Sequence, residues 1–145
     1  MSRNVRKFSA AKRLEFIAAA RGFMHARWRH QGRRPEAMDC LGLVVLSLAA
    51  VGVIVRDRTD YARTPYSRAL AASLREHFGP PVPREQLRPA DIVTMAWAGE
   101  ESHVAIVTDH PEGLGLIHCY LDARRVVEHR LSPEYLDRII EGYRP

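Results

Sequence analysis

The stretch that most constrains this chain lies between Asp39 and Gly52. Residues 40–51 are apolar on nearly all sides, relieved only by Gly42 and the hydroxyl of Ser47. The run is too long for an ordinary strand and falls short of the ~18 apolar residues that a bilayer span requires. It predicts a buried helix. Asp39 is a natural N-cap and Gly52 occupies the C′ position. A chain of 145 residues suits one domain, expected over residues 1–145. Such a domain buries roughly two-thirds of the surface its unfolded chain exposes, so it needs no disulfide or metal to fold.

Around this helix the sequence divides into a helical half and a strand half. Ser9 is a plausible N-cap for a first helix, with Ala11, Leu14, Ile17 and Ala18 on one face and an end near residues 22–23. Residues 24–38 are polar and arginine-rich and read as a long ordered loop, and 53–65 as irregular. A third helix is expected at 67–78, closed by Gly79-Pro80-Pro81. Short apolar runs at 91–97, 103–109, 114–121 and 125–129 are separated by Gly99-Glu-Glu-Ser, His110-Pro-Glu-Gly and Asp122-Ala-Arg, which predicts an antiparallel meander. Ser132-Pro133-Glu134 opens a short last helix, with proline at its first position. Helices first and a meander after them is an α+β layout.

Composition narrows the function classes. Hydrophobic residues at 46% and charged residues at 27% exclude a disordered or fibrous chain. Basic residues exceed acidic ones, 22 to 17, and all but Lys7 and Lys12 are arginines. Codon bias accounts for this as well as an anionic partner does, although arginine grips carboxylate and phosphate in bidentate fashion. No helix-turn-helix, zinc-finger or aromatic-studded sheet signature accompanies the charge, so dedicated nucleic-acid binding is not expected. Neither is a membrane span. The charged N-terminus leads into no apolar core, which predicts synthesis in the cytoplasm without a signal peptide. Cys40 and Cys119 form no disulfide framework.

Cys40 is the most informative residue. At the first turn of a buried helix, free backbone N–H groups and the helix dipole favour a thiolate and can donate to an oxyanion. His103 opens one apolar strand and His118 closes the next. A hairpin centred near His110–Pro111 sets residues 103 and 118 opposite each other, so one imidazole can take the thiol proton while the other orients it. The alternative is structural: small buried cysteines and satisfied histidines are common in cores. Cys40, His103, His118 and Cys119 could also be weighed as zinc ligands. Adjacent strand residues 118 and 119 point to opposite faces, however, so no metal site and no cofactor is expected.

Trp28-Arg-His-Gln-Gly32, Asp39-Cys-Leu-Gly-Leu43, Arg88-Pro-Ala-Asp-Ile-Val93, His103-Val-Ala-Ile106 and Ile117-His118 resemble, in order, the motif string of NlpC-type cell-wall cysteine peptidases. The resemblance covers almost the whole chain from Ala10. The short chain, the His-Gln-Gly-Arg stretch and residues 128–144 look most like the branch encoded with bacteriophage tail genes, in phages, prophages and gene-transfer particles. It implies a papain-like fold, with an antiparallel sheet packed on the Cys40 helix. It also implies hydrolysis of amide bonds in peptidoglycan stem peptides, commonly between D-glutamate and a diamino acid. By motif position Cys40 is the nucleophile, His103 the general base and acid, and His118 the residue that orients His103. The Cys40 N–H helps form the oxyanion hole. Trp28 falls where the family usually has a site-lining tyrosine.

Three departures bear on substrate choice and local structure. Leu41 replaces the usual serine after the nucleophile, Ala90 the glycine before Asp91, and Ala105 the glycine after His103-Val104. Cys119 reads as structural, with its side chain turned away from the site. Asp39 reads as an N-cap, with contact to a substrate ammonium as the other possibility. Arg33, with Arg29 and Arg34, reads as solvated loop charge or as a binder of stem-peptide carboxylates. The expected partners are the stem peptide and the tip or hub proteins of a phage-like tail that carries the enzyme to the wall. The rival expectation is a structural tail-assembly protein that keeps the fold with weak, masked or no activity. An acyltransferase or amidase on the same residues is a third.

Overall fold

A computed structural model describes residues 7–62, 67–97 and 99–145. The basic segment 1–6 and the end of the irregular stretch at 63–65 lie outside the described residues. The elements run α1 (Ala10–Gly22), β1 (Arg27–Trp28), β2 (Arg33–Arg34), β3 (Ala37–Met38), α2 (Cys40–Ala50), α3 (Ser67–Phe78), a 3-10 turn (Arg84–Gln86), β4 (Ile92–Trp97), β5 (Glu100–His110), β6 (Gly113–Tyr120), β7 (Arg125–Arg130), α4 (Pro133–Leu136) and β8 (Ile139–Tyr143). The strands form one sheet in the order β2-β3-β1-β7-β6-β5-β4-β8, a meander at its centre.

The helix starts follow from their caps. Ser9 Oγ accepts the Lys12 N–H at 3.1 Å, and Asp39 Oδ1 accepts the Gly42 N–H at 2.9 Å. In α1 the buried face is Phe16, Ile17 and Ala20. The expected face of Ala11, Leu14 and Ala18 turns to solvent, and Leu14 is exposed. An alanine-rich helix has rival apolar stripes, and the stripe carrying the large Phe16 ring buries more area. The helix α2 is buried from Cys40 through Val44 and at Ser47 and Leu48, while its last two alanines reach the surface.

Two elements differ from the sequence expectation. Residues 24–38 are not a loop throughout: Arg27–Trp28 pairs in parallel with Ala37–Met38, and Arg33–Arg34 pairs with the same strand from its other side. Strands of two residues carry no period-two pattern, so nothing in that stretch marks them. The second is β8, which follows the short α4 and pairs antiparallel with β4 from Ile92↔Tyr143 to Met95↔Ile139. The sheet separates two apolar layers. On one side α1, α2 and α3 pack on Val104, Ile106, Ile117, Cys119 and Val126. On the other a smaller cluster gathers Val93, Met95, Ala105, Val107, Leu116 and Ile139.

Gly42 lets the loop from β1 close over the start of α2. A Cβ built there would sit 2.3 Å from the Gly32 carbonyl oxygen and 3.0 Å from Met38 Cβ. Neither can yield without moving the start of α2. Gly42→Ala is therefore expected to cost roughly 1–3 kcal/mol, the usual penalty for overpacking. A thermal unfolding midpoint unchanged to within a degree would contradict this fit. Of the three departures noted above, Ala90 adopts φ +80, a region that glycine enters freely and alanine at a cost of about 1–2 kcal/mol.

Candidate active site

The β5–β6 hairpin turns at Pro111 and Glu112, with His110 opposite Gly113. Its centre lies one residue beyond the expected one, which moves the register by two. His103 and His118 are therefore diagonal rather than directly opposite. An even shift keeps both on one face, and diagonal neighbours are within reach of long side chains. His103 Nε2 and His118 Nδ1 lie 2.7 Å apart.

The strands part where the site begins. Backbone pairing between β5 and β6 runs from His110↔Gly113 to Ile106↔Ile117. Beyond that point β5 stays paired with β4 as far as Glu100, and β6 stays paired with β7 as far as Tyr120. A bulge between Met95 and Ala96 bends the sheet beside His103. Freed from β6, the Val104 N–H is available to the start of α2, and it hydrogen-bonds the sulfur of Cys40, as does the Leu41 N–H. Cys40 is thus joined to the residue that follows His103.

Burial dominates the chemistry of all three groups. Cys40 is 3% exposed. Desolvation pushes its thiol up to about 12, the Asp39 carboxylate adds to the rise, and the two backbone donors and Arg33 oppose it. The helix start therefore does not by itself produce the expected thiolate. Desolvation also holds His103 down at about 3, and His118 at about 2 with the help of His103 and His129. The resting pair is a neutral thiol and a neutral imidazole.

That neutrality predicts an acid-sensitive fold. The unfolded chain protonates its histidines near 6.5, well above the folded values. As pH falls below 6.5 the unfolded state binds protons that the native state refuses, and stability drops by up to ~1.4 kcal/mol per pH unit per histidine. Denaturation midpoints at pH 7, 6 and 5 should decline, and His118→Gln should flatten the slope. An identical slope in the variant would contradict the buried neutral ring.

His118 does not end the polar chain. Its Nε2 lies 2.9 Å from His129 Nε2, and His129 Nδ1 lies 2.8 Å from the Arg130 carbonyl oxygen. Aromatic rings enclose the three imidazoles. Trp97 meets His103 edge-on at 5.1 Å, Tyr120 stacks on His118 at 5.3 Å, and Tyr135 contacts His129 at 4.5 Å. Sequence reading gave no role to His129, Trp97 or Tyr135. The turn at 121–124 held a usable signal for His129. With Tyr120 opposite Arg125, residue 129 falls on the face of 118.

Asp39 is an N-cap and more. Its carboxylate is fully buried. It accepts hydrogen bonds from the N–H of Gly42 at 2.9 Å, the N–H of Gln31 at 3.0 Å, Arg33 Nη1 at 2.9 Å and the Tyr61 hydroxyl. Arg33 is not a solvated loop charge. It bridges Asp39 to both oxygens of Asp57, at 2.9 and 3.0 Å, with its side chain 16% exposed. Trp28 packs on the main core and stacks on His30 with ring centres 6.3 Å apart, and His30 meets Tyr61 edge-on at 5.5 Å. These contacts tie Trp28 and Arg33 to the same hub as Asp39. A cavity of about 340 Å³ opens beside Leu41, lined also by Asp57, Asp60, Tyr61 and Leu70.

Cys119 lies on the face opposite His118, as strand alternation requires. That face is the one α2 packs against, so Cys119 is not remote from Cys40: both belong to the main core, and its thiol donates to the Met38 carbonyl at 3.1 Å. His118 and Cys119 thus point to opposite faces of the sheet.

The model of the NlpC/P60 family matches residues 25–138, which include Trp28, Asp39, Cys40, His103, His118 and His129. The chain belongs to the NlpC/P60 family. Solved structures agree on the papain-like NlpC/P60 fold. The NlpC/P60 domain of the peptidoglycan hydrolase SagA superposes with a TM-score of 0.66 at 16% identity, over 92% of this chain and 98% of that one. The peptidoglycan hydrolase RipB from Mycobacterium tuberculosis gives 0.61 at 17%, over 94% and 68%. A lipoprotein-like NLP/P60 protein from Staphylococcus aureus gives 0.64 at 16%, over 99% of this chain and 44% of its own. This NlpC/P60 chain thus spans less than half the length of that relative. No curated protein matches the sequence significantly. Among the described residues no helix is long and apolar enough to cross a membrane.

Proposed function

We propose that this NlpC/P60 chain is a thiol hydrolase of peptidoglycan stem peptides. Cys40 attacks the scissile carbonyl, His103 takes the thiol proton and passes it to the leaving amine, and water then releases the acyl-enzyme with His103 as base. His118 orients His103. The observation that carries this reading is an adjacency: the Cys40 sulfur is hydrogen-bonded at Val104, next to an imidazole that His118 holds at 2.7 Å. Family membership and the likeness to peptidoglycan hydrolases support the substrate class. Because thiol and imidazole rest neutral, proton transfer accompanies attack rather than preceding it. In this reading Asp39 and Arg33 fix the loop and the start of α2 beside Cys40, Trp28 packs next to them, and Leu41 gives the adjacent cavity an apolar wall.

We also propose that the chain reaches the wall in a phage-like tail, beside tail tip or hub proteins. The support is the sequence resemblance to the tail-encoded branch. Incubation with defined muropeptides, beside a Cys40→Ala control, tests the activity by mass spectrometry of the products. The same products separate a peptidase from an amidase or acyltransferase. A structural tail protein is the second reading, and the burial of Cys40 favours it. A haloacetamide probe discriminates: no labelling of Cys40 together with no cleavage selects the scaffold.

A further inference from the structure

The chain of three histidines ends on a group that can only accept, and this decides where every proton in it sits. A backbone carbonyl has no hydrogen to give. His129 Nδ1, 2.8 Å from the Arg130 carbonyl oxygen, must therefore carry a proton and donate it. A neutral His129 then has a bare Nε2. The facing nitrogen, His118 Nε2 at 2.9 Å, must donate into it. A neutral His118 is left with a bare Nδ1, which receives the proton of His103 Nε2 across 2.7 Å. The last nitrogen, His103 Nδ1, is bare.

We infer that His129 is a positioning residue that sets the tautomers of the whole relay and so presents His103 Nδ1 as an unprotonated base. The opposite tautomer of His103 would hold a hydrogen at Nδ1 and could not take one from a thiol. Which imidazole nitrogen is free is set by the bond that the other makes, and here that dependence extends over two further rings. The surroundings leave little freedom for rearrangement. Tyr120 stacks on His118, and Tyr135 meets both His118 and His129, so the rings cannot turn without moving neighbours. His103 and His118 are buried, so water does not offer substitute partners. The proposed role rests on the thiol-hydrolase reading for its chemical purpose, while the tautomers themselves can be read without any substrate.

The test uses the full chain labelled with 15N in its histidines. Ring nitrogen shifts near neutral pH report protonated and bare positions separately. The expected result is His103 and His118 protonated at Nε2 and His129 at Nδ1. His129→Leu removes the acceptor and should mix the tautomers of His103 and His118. In a muropeptide assay it should lower kcat on the order of ten- to a hundredfold, a part of what general-base catalysis contributes, with KM little changed. His129→Gln should recover most of that loss, because its amide oxygen can accept from His118 Nε2. Wild-type His103 found protonated at Nδ1 would overturn the inference, as would a Leu variant whose His103 stays wholly the Nε2–H form. If the tautomers behave as expected and the wild type cleaves no muropeptide, the hydrolase reading fails and the relay stands.

Discussion

On the proposed mechanism, Cys40→Ala is expected to abolish muropeptide cleavage, a loss on the order of 10⁴-fold or more, since it removes the group that forms the acyl-enzyme. The fold should survive. Alanine fills most of the cysteine's volume at the first turn of α2, and the N-cap bond from Gly42 to Asp39 does not involve the sulfur. The substitution leaves the N–H groups of Val104 and Leu41 without their sulfur acceptor, a cost of about 1–3 kcal/mol. Steady-state product formation and a thermal scan check both halves. Retained turnover would sink the mechanism. His103→Gln should be nearly as damaging. The double variant should lose no more than Cys40→Ala alone, because in the proposed mechanism the two act in one step.

The largest effect on stability is expected at Asp39. Replacing it with alanine removes the N-cap of α2, about 1 kcal/mol. It also strips one carboxylate from a guanidinium that is 16% exposed. Breaking a buried ion pair by deleting one partner costs about 3–5 kcal/mol. Arg33 keeps Asp57 at 2.9 Å, which moderates the loss, so roughly 4 kcal/mol is the expected total. For a chain of this size that corresponds to a midpoint lower by about 13 °C. Asp39→Asn keeps an oxygen for Gly42 and should lose about half as much. Denaturant titration of both variants checks the ordering. A loss below 1 kcal/mol in the alanine variant would mean that the hub contributes little.

The two predictions concern neighbouring residues with separate duties. Asp39 gathers four donors from Gln31, Arg33, Gly42 and Tyr61 and fixes where α2 begins. Cys40 inherits its position from that start. A substitution at Asp39 should therefore affect turnover through placement as well as through stability. This separates it from Gly42→Ala, where the clash with the Gly32 carbonyl pushes the loop and helix apart without removing a charge.

Much of this architecture is local and was legible in the chain. Capping is decided within a few residues, so Ser9 and Asp39 announced α1 and α2 from side chains that bond their own first turns. The run from Cys40 announced burial because too few polar groups are present for exposure. Turn residues marked the hairpins of the meander. The ordered motifs announced the family, whose model matches residues 25–138.

Tertiary structure decided what depends on groups far apart in sequence. Whether α1 buries Leu14 or Phe16 depends on the shape of the opposing core. Arg33 became a buried bridge only because Asp57 and Asp39 arrive from different elements. The two-residue turn at Pro111–Glu112 set the register of the histidines, and β8 paired with β4 across more than forty intervening residues. Cys40 meets Val104 because β5 and β6 part beyond Ile106↔Ile117, and His129 joins the relay because the strand pairing of β7 carries it to the face of His118. Capping and composition act over one turn of chain, whereas desolvation and side-chain proton networks act over distances that only the folded chain defines.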